Sequence, residues 1–333
     1  MDQKNTAIPT TQSGNASQRD WLLVLLAITI LPCVYYGERV GLVLGVSLLS
    51  AVVGTAAFRL IRGIRDIPDL SCLTVGMIVG LMLPVNVPLF IPALASLFAV
   101  CVCREAFGGQ HYVFHPAAAG LALVTVLWPE TVFSYYDMKA GGGVTLWEGV
   151  CTVTQSPAAS LKKGIVSDLQ PFDMLFGRYA GPMGATAAVV IVAGFLFLLV
   201  RRRIDFRMPL GMLLTASAVA WFWPRIPLSS LTSLKSELLG GGILFVLCFM
   251  VTDPVTAPKT KEGRFLLGLL GGFLLMGLQY GGAYEQEGVF AVLLLNALTP
   301  LTDQLVEKVK NRKGGDGHGE KPHRKKKLSL IHI

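Results

Sequence analysis

Few side chains in this 333-residue sequence have the type and setting to do chemistry, and most of them stand beside prolines at the ends of apolar runs. Thr252-Asp253-Pro254 closes one such run, and Phe114-His115-Pro116-Ala117 opens another. An ionisable residue at membrane depth is costly, so Asp253 is a functional candidate by default. Its bland alternative is a helix-end cap solvated by the aqueous phase. The same hairpin supplies Thr252 and Arg264, a hydroxyl and a fixed cation suited to carbonyl groups or to a partner surface. His115 is either a ligand contact or a satisfied histidine at a helix start. Asn296 is uncharged inside an apolar run, where hydrogen bonding between helices is the leading reading. Glu285 and Glu287 read as solvated loop acids at the outer end of the last run, and Arg104-Glu105 as the inner end of another. A proline at a membrane boundary frees backbone carbonyls, and irregular backbone at that depth is tolerated only where it lines a cavity or ligand site.

Motifs for self-sufficient catalysis are missing from the sequence: it has no Ser-His-Asp arrangement, HExxH or Walker signature. Of six cysteines, only Cys101-Val-Cys103 form a close pair, and nothing nearby completes a zinc or iron–sulfur ligand set, so no metal is expected. These residues contribute by holding something rather than by completing a reaction.

The elements that would position them are membrane helices. Hydrophobic residues make up 53% of the chain, charged residues 15%, and the mean hydropathy is +0.58, values that a soluble chain of this length rarely reaches. Ten apolar runs of bilayer length are predicted, at 21–37, 40–60, 72–88, 89–103, 114–128, 182–200, 208–223, 238–252, 265–282 and 287–303. With the N-terminus cytoplasmic, the basic clusters Arg59–Arg65, Arg104, Arg201–Arg207 and Lys259–Arg264 and the basic C-terminal tail all fall inside, as the positive-inside rule requires. The expected fold is therefore an all-α polytopic membrane protein of about ten transmembrane helices in two inverted five-helix halves. Its parts are a cytoplasmic N-terminal segment (1–20), a first half (21–128), an extracytoplasmic loop (129–181) containing Gly141–Gly143, a second half (182–303) and a basic cytoplasmic tail (304–333). The polar N-terminal segment does not read as a cleavable signal peptide. Most of the +8 net charge lies in that tail, which reads as a cytoplasmic end near anionic membrane lipid; with no aromatic or fold signature beside it, nucleic acid is not an expected partner.

Several stretches, in order, resemble one family: the D component of the Rnf ferredoxin:NAD oxidoreductase and its relative, the B component of the sodium-pumping NADH:quinone reductase (Nqr). They are Leu83-Pro84-Val-Asn-Val-Pro88, Phe107-Gly-Gly109 through Phe114-His-Pro-Ala117, Gly181-Pro-Met-Gly184, Phe249 through Arg264, and Glu287 through Gln304, spread over roughly residues 65–305. Two positions depart from the family pattern, His115 where asparagine is usual and Ala185 where glutamate follows the glycine pair. The resemblance implies a multi-pass component of a bacterial or archaeal cytoplasmic membrane complex, both termini inside, that passes electrons between partner subunits and couples them to Na⁺ or H⁺ export. A short N-terminal segment leans toward the Rnf side.

It also implies two flavins: FMN joined through its phosphate to a hydroxyl of the outer loop by a flavin transferase, and a second, non-covalent flavin such as riboflavin in the membrane domain. Ser156-Pro157 followed by Leu161-Lys162 matches the downstream part of the attachment motif and makes Ser156 the leading acceptor, ahead of Thr145 and Thr154; no covalent flavin is the remaining alternative. Gly184-Ala185-Thr186 looks like the motif's end but opens a span. Thr252, Asp253, Arg264, His115 and Asn296 are the candidate contacts for the second flavin. The competing expectation is a flavin-free solute transporter or channel of the same inverted-repeat pattern.

Overall fold

A computed structural model describes residues 11–64, 69–109, 111–138, 144–165, 169–225, 230–282 and 287–315. Gly141–Gly143, Glu285, residues 1–10 and the tail beyond 315 lie outside the described residues. Each of the ten predicted runs carries helix, in the order α1 (Thr11–Tyr36), α2 (Arg39–Ile61), α3 (Leu70–Leu81), α4 (Phe90–Phe98, continued by a π turn and a 3-10 turn to Phe107), α5 (Pro116–Leu127), and, after the loop helices, α9 (Ala188–Val200), α10 (Arg207–Phe222), α11 (Ser230–Leu239) with α12 (Ile243–Phe245, continued by a π turn to Met250), α13 (Lys261–Gly281) and α14 (Glu287–Gly315). The protein is an all-α polytopic membrane protein. Among the described residues five helices are long and apolar enough to cross a membrane, and six if α11 and α12, bent by 62°, are one broken span. α1 begins ten residues ahead of the predicted span, and α14 continues into the predicted tail.

The shorter helices are shortened for readable reasons. α3 stops at Leu81 because Pro84 and Pro88 follow, and proline both lacks a donor and disfavours helix in the residue before it. Pro116 opens α5 as its first residue, where a missing N–H costs nothing, and the His115 side chain caps the helix by accepting from the Ala118 N–H at 3.2 Å. Gly240–Gly242 break α11 from α12, Gly242 taking φ +70°. α9 starts only at Ala188, so Gly181-Pro-Met-Gly184 is irregular chain rather than the first turn of a span.

Those irregular ends meet one another. The Met183 N–H donates to the Leu83 carbonyl at 3.0 Å and the Gly184 N–H to the Leu81 carbonyl at 2.7 Å. A Cβ at position 184 would lie 2.7 Å from the Leu81 side chain, so the approach requires glycine. Packing repeats between the two parts of the chain: α2 lies on α3 and α4 and α4 on α5, while α10 lies on α11 and α13 and α13 on α14. α1 against α9 and α5 against α14 join them. The α10–α13 contact is backbone-close, with Gly211 facing the Phe265 carbonyl and Gly272 facing the Met212 carbonyl.

Residues 129–181 form a small folded unit, with α6 (Pro129–Val132), α7 (Pro157–Lys162), α8 (Pro171–Phe176) and a two-stranded antiparallel ribbon of β1 (Tyr135–Tyr136) and β2 (Val153–Thr154). Arg39, only 1% exposed, fastens this unit to the broken end of α3: its guanidinium donates to the carbonyls of Val85 at 3.1 Å, Val87 at 2.9 Å and Leu146.

Candidate functional site

Two of the helix breaks come together. The chain entering α5 and the turn leaving α12 place Tyr112, His115 and Asp253 around one cavity of about 60 Å³, walled also by Trp21 and Phe249 from α1 and the π turn and by Arg104 from the end of α4. Asp253 is buried and holds three long hydrogen bonds of 3.3 Å, from the Tyr112 hydroxyl, the Val255 N–H and the Thr256 hydroxyl. None is short, so its carboxylate keeps accepting capacity toward the cavity. His115 is also buried, and accepting from Ala118 with Nδ1 leaves its proton on Nε2. Its backbone N–H donates to Asn296 Oδ1 on α14 at 2.8 Å. Asn296 thus acts between helices, as its setting predicted, and positions His115 through the main chain.

That bond yields a direct expectation. Asn296→Leu leaves a buried N–H without its acceptor and should lower stability by about 1–3 kcal/mol. His115→Asn, which retains a capping side chain, should be close to neutral. Thermal unfolding of the detergent-solubilised variants separates the two.

Thr252 and Arg264 face a different cavity. It measures about 280 Å³, lies between the α9–α10 turn and the 251–260 turn, and is lined also by Arg202, Arg203 and Asp205; Pro254 borders both cavities. The Thr252 hydroxyl donates to the Cys248 carbonyl at 2.7 Å, and Arg264 is held by the Pro258 carbonyl at 2.7 Å and by Asp205 at 2.9 Å. Burial alone would raise the Asp205 carboxyl, but the Arg207 N–H and the guanidinium groups of Arg264 and Arg207 outweigh it and hold the group below its ordinary value. The five predicted contacts therefore divide: Asp253 and His115 line one cavity, with Asn296 behind His115 on its backbone N–H, and Thr252 and Arg264 line the neighbouring one.

In the loop unit, Ser156 is the N-cap of α7. Its hydroxyl is 3% exposed and accepts from the Ala159 N–H at 3.1 Å, with Pro157 at the first helical position. Beside it lies a cavity of about 260 Å³ lined by Thr154, Gln155, Pro157, Ser160 and Arg178. Thr154 is half-buried; Thr145 is exposed and accepts from the Val150 N–H at 2.7 Å.

Sequence reasoning missed several polar groups. Glu287 is not a solvated acid: it is buried and pairs with Lys162 of α7 at 3.2 Å, so it ties the loop unit to the start of α14. Glu237, wholly buried, lies 3.2 Å from Arg225 and accepts from Gln279 at 2.8 Å. Tyr112 and Arg39 carried no signal beyond being a phenol and a cation near predicted boundaries.

A model of the NQR2, RnfD, RnfE family matches residues 3–312, nearly the whole chain. The chain belongs to that family. Similar curated relatives include the D component of the proton-translocating ferredoxin:NAD(+) oxidoreductase complex of Clostridium ljungdahlii, 28% identical over 254 residues and covering 73% of this chain and 75% of the relative. The D component of the Na(+)-translocating ferredoxin:NAD(+) oxidoreductase complex of Acetobacterium woodii is 28% identical over 269 residues, 79% of each chain. The D component of the ion-translocating oxidoreductase complex of Stutzerimonas stutzeri is 30% identical over 286 residues, covering 77% of this chain and 80% of its own length. The stretches that carry the resemblance sit at these places: Phe249–Arg264 builds walls of both cavities that Pro254 borders, and Leu83–Pro88 holds two of the three acceptors of Arg39.

Proposed function

We propose that this chain is the flavin-carrying membrane component of an Rnf-type complex, or of its sodium-pumping quinone-reductase relative, passing electrons between partner subunits in step with Na⁺ or H⁺ export, with its termini and the two Pro254-bordering cavities on the cytoplasmic side. The supporting observation is the meeting of two helix breaks, 141 residues apart in the sequence, around Asp253, Tyr112 and His115. A flavin ring system has a polar edge of carbonyls and ring nitrogens and two apolar faces. Asp253 can accept from an N–H of that edge, Tyr112 and Arg104 can donate to its oxygens, and Trp21 and Phe249 offer flat apolar walls. The donor set fits; the space, well below the ~300 Å³ at which small-molecule pockets begin, fits only once the walls part. Bound there, a flavin would supply the redox chemistry, and these side chains would orient it and exclude water.

For the covalent FMN, Ser156 remains the leading acceptor. A phosphate on its oxygen would enter the adjoining cavity, where Arg178 supplies a cation. The buried hydroxyl requires α7 to open before a transferase can reach it, and this observation keeps the flavin-free transporter reading in view.

Denaturing gel fluorescence and intact mass with peptide mapping test the reading. The expected result is an FMN-sized increment on the peptide spanning 144–163, abolished in Ser156→Ala and retained in Thr154→Ala. A purified protein with no increment, no in-gel fluorescence and no flavin absorption in its native state would overturn it, and donor-independent solute uptake into proteoliposomes would then favour the transporter.

A further inference from the structure

The turn between α9 and α10 contains a backbone anomaly. Helix α9 ends in a paired cap in which the Arg202 N–H donates to the Leu199 carbonyl and the Arg203 N–H to the Leu198 carbonyl, both at 2.9 Å. This cap needs a left-handed residue at its centre, and Arg202 takes it, with φ +55°. The same pair of bonds ends α2 around Gly63, at φ +74°, and α7 around Gly164, at φ +75°. Among the described residues Arg202 is the one non-glycine with positive φ. Glycine adopts that conformation without the steric cost a Cβ imposes. A strained residue kept where the relaxed one is available points to work done by its side chain.

The side chain's surroundings indicate which work. Arg202 lines the 280 Å³ cavity together with Arg203 and Arg264. Arg203 is paired with Asp20 at 2.6 Å, and Arg264 with Asp205 at 2.9 Å. Arg202 forms no ion pair with any described carboxylate. Asp20 also pairs with Arg201, and Asp205 with Arg207, so both neighbouring cations are fixed while their carboxylates are shared. The site keeps an excess of positive charge, and Arg202 stands on the cap as the third cation with no described carboxylate of its own. The remaining lining is mostly apolar, with Ile204, Met208, Val251, Pro254 and Ala257, beside the Thr252 hydroxyl and Asp205, whose carboxylate is engaged by Arg207 and Arg264. A basic rim over an apolar floor suits an amphipathic anion, and a planar guanidinium suits the oxygens of phosphate.

We propose that this cavity is a binding site for a phosphate ester, with Arg202 its principal anion contact and Arg203 and Arg264 shaping the rim. Two sources carry that chemistry at a membrane surface: the headgroup of an anionic phospholipid, and the phosphate of a soluble flavin nucleotide. The site stands independently of the flavin reading above, because it rests on neither Ser156 nor Asp253.

The test uses the full chain, purified in detergent, with native mass spectrometry and thermal unfolding read in parallel. One arm titrates phosphatidylglycerol against phosphatidylcholine; the other titrates FMN against riboflavin, which differs only in the phosphate. Wild type should prefer the phosphate-bearing anion in one arm, and that arm identifies the source. Arg202→Gly should weaken that binding about ten-fold or more, the loss of a charge-assisted contact, and should at the same time raise the melting temperature of the ligand-free protein by roughly 2 °C as the cap relaxes. Arg202→Ala should lose the binding without that gain, since it keeps a Cβ in the left-handed turn. The proposal is overturned if wild type shows no preference in either arm, if Arg202→Gly and Arg202→Ala bind as wild type does, or if ligand-free Arg202→Gly melts lower than wild type.

Discussion

Replacing Arg39 with alanine should cost roughly 3–5 kcal/mol, enough to leave little folded protein in detergent at 37 °C. The guanidinium is fully buried and serves three carbonyls at once, those of Val85, Val87 and Leu146. Two belong to the irregular chain after α3, whose carbonyls have no helical partner, and the third to the loop unit. Removing the side chain orphans all three. Gly149, at φ +71°, allows the close fit, since a Cβ there would lie 2.6 Å from both Arg39 Nη2 and the Asn86 carbonyl. Arg39→Lys should recover only part of the loss, because one ammonium cannot reproduce a planar fork. Thermal unfolding measures the stability change, and limited proteolysis around residues 144–150 should show the loop unit coming free first. Wild-type melting in Arg39→Ala would mean that the fork is dispensable.

The second large effect lies where α10 meets α13. Gly272→Ala places a methyl group 2.5 Å from the Met212 carbonyl, a backbone atom that can move only if the helices separate. Overpacking of this kind costs about 1–3 kcal/mol, and Gly272→Val should exceed that range. The same helix carries its own control. A Cβ at Gly277 meets nothing within 4 Å, so Gly277→Ala should be neutral or slightly stabilising through helix propensity. Equal losses at 272 and 277 would show that helix intrinsics, rather than interhelical distance, set the response.

The fold was legible wherever length and hydropathy carried it. All ten apolar runs hold helix because a predominantly apolar run must satisfy its backbone groups internally, and the prolines at 84, 88 and 116 marked breaks that the structure has. What could not be read was which partner each broken end finds. Leu81 and Leu83 look like any residues of a hydrophobic run, and only the folded chain shows their carbonyls serving Met183 and Gly184. The candidate contacts followed the same division. Asp253, His115 and Asn296 were identifiable as polar residues in apolar settings, and they do gather. Their separation from Thr252 and Arg264 depends on the side of Pro254 to which each side chain turns, a matter of backbone direction that spacing does not encode. Glu287 was misread because its partner, Lys162, is 125 residues away.

The bonds between the ends of α3 and α9 have a mechanical consequence. Separating Leu81–Leu83 from Met183–Gly184 would strand two donors and two acceptors together, at a cost that rises wherever water is excluded. A motion that drew the chain before α9 away from the end of α3 must break both bonds at once. The pair acts as a cross-tie between two chain ends about a hundred residues apart, so those ends move as one and bending is left to breaks elsewhere, such as the 62° bend between α11 and α12.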